Sequence, residues 1–268
     1  MLTLYHHGSS VCAAKVRFAL AEKKLEWEGR YIDILKGDQF TQEYLSINPK
    51  GVVPTLIHDG HILPESTLIC EYLDEVFPEH PLKPENSVNR HAMRMWTKIV
   101  DEQFHTAVGS ITFVACHRHI IKRMSKADQE AFLNATPQDS VYWEWRDRKR
   151  RFIEQGFYAA GAADLIQLYD DCLGRVNKAL ESSEWLAGDT FSLADIGVTP
   201  YVNRLDMLGL SFMWEESRPA LTEWWKRIKS RPTFKPALLD WCPADLTKDL
   251  MTFGSQSRYD VERILKRD

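Results

Sequence analysis

Two stretches of the chain carry residues whose types and spacing could do chemistry. Ser9-Ser10 follows the short apolar run Leu2-Thr3-Leu4-Tyr5 and precedes a helical pattern. A hydroxyl there stands where free backbone N–H groups and the helix dipole favour a negative charge. Ser10 equally suits the plain role of helix N-cap. No G-x-S-x-G elbow and no Asp/His partner at a recognisable spacing accompanies it, so a nucleophilic serine has no support. The second stretch is Val53-Pro54-Thr55-Leu56, followed by Pro64-Glu65-Ser66. Pro54 heads a run, Thr55 to His58, that otherwise reads as a buried strand, whereas proline is confined to edges, bulges or strand starts. The Val53–Pro54 bond is a candidate for the cis form, which costs only about 0.5–1 kcal/mol before proline. The Val53 N–H and C=O would then face outward and accept one extended peptide as an antiparallel strand. Glu65-Ser66 opens a further helix whose free N–H groups and hydroxyl can hold a carboxylate, while Glu65 can hold an amine. Together the pieces fit a small peptide with a free amino-acid head and a central thiol.

The elements that must position these residues divide into two kinds. Up to residue 78 they alternate. Leu2 to Tyr5 is a short strand, and Val11 to about Lys24 reads as a helix packed on one side. Leu25, Trp27 and Tyr31 alternate with charged residues as a period-two strand. Thr55–His58 and His61–Leu63 form a hairpin about Asp59-Gly60, and Leu68, Ile69, Tyr72, Leu73 and Val76 repeat at helical spacing. That order predicts an α/β domain of the thioredoxin type over residues 1–78. The proline-rich stretch 79–87 reads as a linker. From 88 to 268 strand signals fade. Trp96 to Ile111, Leu165 to Leu180, and Trp224-Trp225 with Ile228 trace apolar helix faces, which predicts an all-α C-terminal domain. Between these helices, Ser125 to Phe157 is more polar, with a helix N-capped at Ser125 or Asp128. Its basic run "WRDRKRR" reads as a solvated helix face rather than an RNA contact.

Composition narrows the function classes. The chain has 268 residues, 44% hydrophobic and 27% charged, with a net charge of −4. That balance gives no support for nucleic-acid or anionic-membrane binding. No basic start followed by an apolar run marks a signal peptide, and no stretch reaches the length of a spanning helix. Five cysteines, Cys12, Cys70, Cys116, Cys172 and Cys242, are scattered and never CxxC. Their pattern predicts reduced thiols in the cytoplasm and neither a disulfide framework nor a zinc site. The nine histidines are scattered too. His117 and His119 could share a strand face, but no third ligand stands at a suggestive spacing, so no metal is expected.

"NPKGVVPTL", "PESTLICEYLDEVFP" and "EWLAGDTFSLADIGVTPY" together resemble the cytosolic glutathione transferases over nearly the whole chain. In the last of these, Ser192 and Asp195 form an S-x-x-D capping box with Phe191 as a hydrophobic staple, a structural feature. Aligned on Val16-Arg17, Ser10 falls where the serine classes keep their active hydroxyl. "ILKGDQF" is similar to the zeta class, which includes maleylacetoacetate isomerases, although Val11 separates Ser10 from Cys12 where zeta enzymes carry S-S-C. "ESTLICEYLDEVFPE", "MRMWTKIVDEQF" and "MSKADQEAF" look more like bacterial β-etherase-type transferases, which cleave lignin-derived aryl ethers with glutathione. The resemblance implies glutathione as co-substrate, a hydrophobic electrophile in a cleft of the helical domain, and a homodimer. It places Ser10 as hydrogen-bond donor to the thiolate, and Val53, Pro54, Glu65, Ser66 and Gln39 around glutathione, Gln39 near the glycyl end. Trp96 and Phe104 are candidate cleft walls or plain core. Other readings of the same residues are an isomerase of the maleylacetoacetate type, a non-catalytic binding module of this fold, and a glutaredoxin-like enzyme using Cys12. Cys12 lies about half a turn past Ser10 and is expected to face apolar helix packing.

Overall fold

The computed structural model describes residues 1–135 and 143–266. Its N-terminal part is a four-stranded sheet in the order β2-β1-β3-β4, made of β1 (Leu2–His6), β2 (Glu28–Tyr31), β3 (Thr55–His58) and β4 (His61–Pro64). β1 alternates, with Leu2, Leu4 and His6 buried. It pairs in parallel with β2, through Leu4 opposite Gly29, and antiparallel with β3, through Leu4 opposite Leu56. The β3–β4 hairpin closes at Asp59 and Gly60, both with positive φ (48° and 84°), as a two-residue primed turn requires.

Helix α1 (Val11–Glu22) follows β1, and α3 (Ser66–Val76) follows β4. Two expectations need correction. β2 is shorter than its alternation suggests and is exposed along its whole length. As an edge strand it needs only β1, so Leu25 and Trp27 pack on the core from the turn before it. The loop after β2 also holds a short helix, α2 (Gln42–Ile47), N-capped by Thr41, where no periodicity announced one.

The rest is helical. α4 (Ser87–Ile99), α5 (His105–Thr112) and α6 (Arg118–Lys122) run as one rod through the π-helical turns Val100–Phe104 and Phe113–His117. His117 and His119 therefore sit on this rod and share no strand. Trp96 and Phe104 belong to the core, Phe104 packed edge-on to Tyr169 at a ring separation of 5.2 Å. α7 (Lys126–Asn134) is N-capped by Ser125, whose hydroxyl accepts from Asp128 N. α8 (Trp143–Gln155) carries the basic run, where Arg150 makes a bidentate pair with Glu130 at 2.8 Å. Thr136 and Pro137, the two residues that follow the α7 segment's Ala135, lie outside the described residues. α9 (Ala162–Leu180) and α10 (Leu193–Met207) form the buried centre, with α11 (Phe212–Glu215), α12 (Pro219–Lys229), α13 (Ala244–Gln256) and α14 (Arg258–Leu265) around them.

α1 joins the two parts. It is buried from Ala13 to Leu20, charged side chains included. The Arg17 guanidinium donates to the carbonyls of Ala237 (2.8 Å) and His7 (3.2 Å). The Lys23 ammonium meets Asp74 at 2.8 Å and the carbonyls of Glu79 and His80, fixing the connecting segment. Phe18 meets Phe191 edge-on, so Phe191 spans the two parts as well as preceding α10.

α10 begins with the capping box the sequence announces, and Asp195 does more than cap. Its carboxylate accepts from the Ser192 N–H (3.0 Å), the Leu186 N–H (3.1 Å) and the Trp224 indole N–H (2.9 Å) while wholly buried. Removing it leaves three buried donors without an acceptor, each costing about 1–3 kcal/mol. Asp195→Ala is therefore expected to destabilise the chain by more than about 3 kcal/mol, read as a lowered urea midpoint with unchanged slope. A change within experimental error contradicts this account.

Candidate active site

Sheet register gathers the chemistry-bearing residues. Tyr5 pairs with Thr55, and Thr55 pairs with Pro64. The next residues outward are the loop after β1, Val53-Pro54 before β3, and Glu65 after β4, all at one end of the sheet. Ser10 is the N-cap of α1, its hydroxyl oxygen accepting from Ala13 N at 3.1 Å. Its proton is thereby turned away from the helix, toward the Val53 carbonyl 3.5 Å away. That long bond leaves the hydroxyl ready to donate to a better acceptor.

The Val53–Pro54 bond is cis. The loop before it is clamped at Val52, whose carbonyl accepts from the Tyr44 hydroxyl at 2.7 Å and the Asn48 amide at 3.1 Å. Among the described residues the Val53 N–H donates to no carbonyl. Val53 thus presents a donor and an acceptor side by side at the sheet end.

Glu65 precedes α3 with φ of 70°. A non-glycine residue held there costs on the order of 1–3 kcal/mol and marks a position worth a functional explanation. Its carboxylate pairs with Lys50 at 2.5 Å, both side chains about half exposed. Ser66 is buried in the first turn of α3. Gln39 is less well placed. Its amide donates back to Ile34 O at 3.4 Å and its carbonyl oxygen is buried without a partner among the described residues. Its turn packs against the Gly51 end of the same loop, where a Cβ would meet the Phe40 ring at 2.9 Å.

Several groups at this end carry no strong sequence signal. His7 and His6 are buried in the loop and strand, and burial lowers their pKa to about 4 and about 3, so both are neutral at pH 7. Arg204 of α10 is wholly enclosed and donates to Ser9 O, while its Nε and Nη1 have no partner among the described residues. Gly8 is in contact with the C-terminal segment: a Cβ there would lie 1.9 Å from the Trp241 carbonyl oxygen. Cys12 is where the sequence reading fails. The residue is half-buried, with Sγ 3.5 Å from His105 Nδ1 and 3.8 Å from the Tyr201 hydroxyl. It faces the helical part, because that rod brings a polar residue, His105, to the first turn of α1. No spacing within the first 78 residues could signal this.

The arrangement can hold an extended backbone at Val53, a charged amino-acid head at Glu65 and Ser66, and an anion at the N-terminus of α1. Residues 4–81 match the glutathione S-transferase N-terminal domain and residues 168–232 the C-terminal domain. The chain is 34% identical over 244 residues to protein LigF of a Sphingobium species, covering 87% of this chain and 91% of that protein. The crystal structure of that beta-etherase superposes with a TM-score of 0.78, covering 88% of this chain and 98% of that one at 33% identity. A zeta-class glutathione S-transferase of Euphorbia esula is 45% identical over 206 residues, 75% of each chain. A maleylacetoacetate isomerase of Dictyostelium discoideum is 43% identical over 99 residues, 36% of this chain and 45% of that protein. On the sheet register, the capped first helix and these likenesses together, the chain belongs to the glutathione S-transferase family.

Proposed function

We propose that this chain binds glutathione at the end of the sheet and uses its thiolate to cleave aryl ethers. In this reading residues 1–78 hold glutathione, 79–87 link, and 88–268 supply the wall of the electrophile cleft. The cysteinyl unit pairs with Val53 beside Pro54, the γ-glutamyl head lies on Glu65 and Ser66, and the glycyl end lies toward Gln39. The observation that carries the reading is the Ser10 hydroxyl, held as N-cap with its proton directed at the slot.

A free thiol ionises near pH ~8.5, so little thiolate is present at neutral pH. Lowering that pKa by about 2 units requires about 2.7 kcal/mol. A charge-assisted bond from Ser10, about 1.5–3 kcal/mol, and the α1 N-terminus, about 0.5, suffice. The thiolate then attacks the ether-bearing carbon. A C–S bond forms as the C–O bond breaks, and the departing phenolate takes a proton from water. The likeness to a beta-etherase over most of both chains favours this electrophile. The zeta-class and isomerase likenesses favour a second reading, in which the same thiolate adds to a double bond and leaves after rotation.

Two further features of the proposal have support. Leu68 on α3 and Val88 and Met95 on α4 expose apolar side chains, which suits a homodimer closed over these helices. All five cysteines are free, which suits work in the reducing cytoplasm. Among the described residues no helix is long and apolar enough to cross a membrane.

Incubation with glutathione and a β-aryl ether dimer is expected to release the phenol and leave a glutathione thioether. Isomerisation of a maleyl substrate without ether cleavage would transfer the assignment to the second reading. Ser10→Ala should lower turnover by roughly ten- to a thousandfold with glutathione affinity little changed, as for a bond made mainly to the anion. Glu65→Ala should weaken glutathione binding about tenfold or more, since a charged hydrogen bond is lost, measured by calorimetric titration. Leu68→Glu with Met95→Glu is expected to halve the mass seen in sedimentation. An unchanged mass places the subunit contact elsewhere.

A further inference from the structure

Ser10 and Cys12 leave α1 on different sides. Ser10 meets Val53, whereas Cys12 meets the helical part. The sulfur is 3.5 Å from His105 Nδ1 on α5 and 3.8 Å from the Tyr201 hydroxyl on α10. Lys15, one turn on along α1, is buried, with its ammonium on Asp101 at 2.9 Å and Thr67 at 3.0 Å. Cys70 on α3 is the other thiol of this neighbourhood, and burial pushes it up to about 12. The two thiols are thus set apart by their surroundings. His105 is exposed and Cys12 half-buried, and Cys12 lies in the first turn of a helix, where an anion is favoured.

We propose that Cys12 and His105 form a second reactive centre, a thiolate–imidazolium pair that takes up a glutathionyl group from glutathione disulfide. The Cys12 sulfur attacks one sulfur of the disulfide. A new S–S bond forms to Cys12, the old one breaks, and the departing glutathione thiolate takes the proton of the His105 imidazolium. Reduced glutathione reverses the step by attacking the mixed disulfide. Nothing is oxidised beyond Cys12, and the oxidant is the disulfide itself. Exchange of this kind is fastest when the attacking thiol ionises near ambient pH and has access. Proximity to His105 lowers Cys12 to about 6 against the opposing effect of burial, with Lys15 and Tyr201 acting in the same direction. The Cys12 thiolate in turn raises His105. The charge of each partner therefore favours the charge of the other. The choice of glutathione disulfide as donor rests on the proposed use of glutathione by this chain, while the reactivity of Cys12 rests on its own contacts.

The test treats the full-length protein with glutathione disulfide across a pH series, followed by intact mass and peptide mapping. One glutathionyl group on Cys12 is expected, removable by dithiothreitol, with a rate that rises through a midpoint near pH 6 and then levels. His105→Gln should move that midpoint up toward an ordinary thiol and slow modification at pH 7 by about tenfold. Cys12→Ser should abolish it while leaving transferase turnover nearly intact. Label on Cys242 instead, no label at all, or a Cys12 rate unmoved by His105→Gln overturns the proposal. Failure of the glutathione slot shows separately, as unchanged glutathione affinity in Glu65→Ala.

Discussion

The molecule depends on burying three cations of one helix. Lys15, Arg17 and Lys23 of α1 and its C-cap are each at most 3% exposed. Burial of an ammonium or guanidinium is tolerable only with charge partners or several acceptors. Each cation therefore dictates a neighbour. Lys15 draws in Asp101 of the helical rod and Thr67 of α3. Arg17 draws in the Ala237 carbonyl and the strand-end carbonyls of His7 and Gly8. Lys23 draws in Asp74 and the connecting segment. With these met, α1 has one orientation between the two parts. Its N-terminus then faces the loop of Val53.

That orientation gives the start of one short helix two unlike surroundings. Positions 10 and 12 of a helix start project to different sides. One side is bounded by the sheet end, where backbone groups dominate, and it suits a bound peptide. The other is bounded by α5 and α10, where His105 and Tyr201 stand. The residue between them, Val11, packs partly on the core and keeps the two apart.

The sequence disclosed the local fold at the sheet end well, because its cues are local. A proline at a strand head, an Asp-Gly turn and an S-x-x-D box each restrict their own backbone, and the observed β3, β3–β4 turn and α10 follow from them. Hairpin register then carries Glu65 beside Pro54 with no further information. It disclosed less where partners come from afar. Leu25 and Trp27 have the period of a strand, yet an edge position lets the chain pack them from a turn. The thiol of Cys12 was read as facing apolar packing because α1 shows apolar residues nearly throughout, and only the rod of α4 to α6 supplies His105. Asp195 announced a cap but not its bond to Trp224, 29 residues on. Gln39 was singled out from its loop, and its amide turns back to its own backbone.

The contact of Gly8 with Trp241 concerns the order in which the chain is made. Arg17 and the Ala237 carbonyl it holds are 220 residues apart, and at Gly8 the β1–α1 loop has no room for a side chain against the Trp241 backbone. Domains fold as units during synthesis, N-terminal first. Here the sheet can form early, but the loop bearing Ser10 has its final wall only after Trp241 has left the ribosome. A nascent or truncated chain ending before that point carries the strands and the proline turn with the Arg17 guanidinium short of an acceptor. The segment from Ala237 to Trp241 thus acts as the closing stitch on the first loop, which is completed late even though its residues come first.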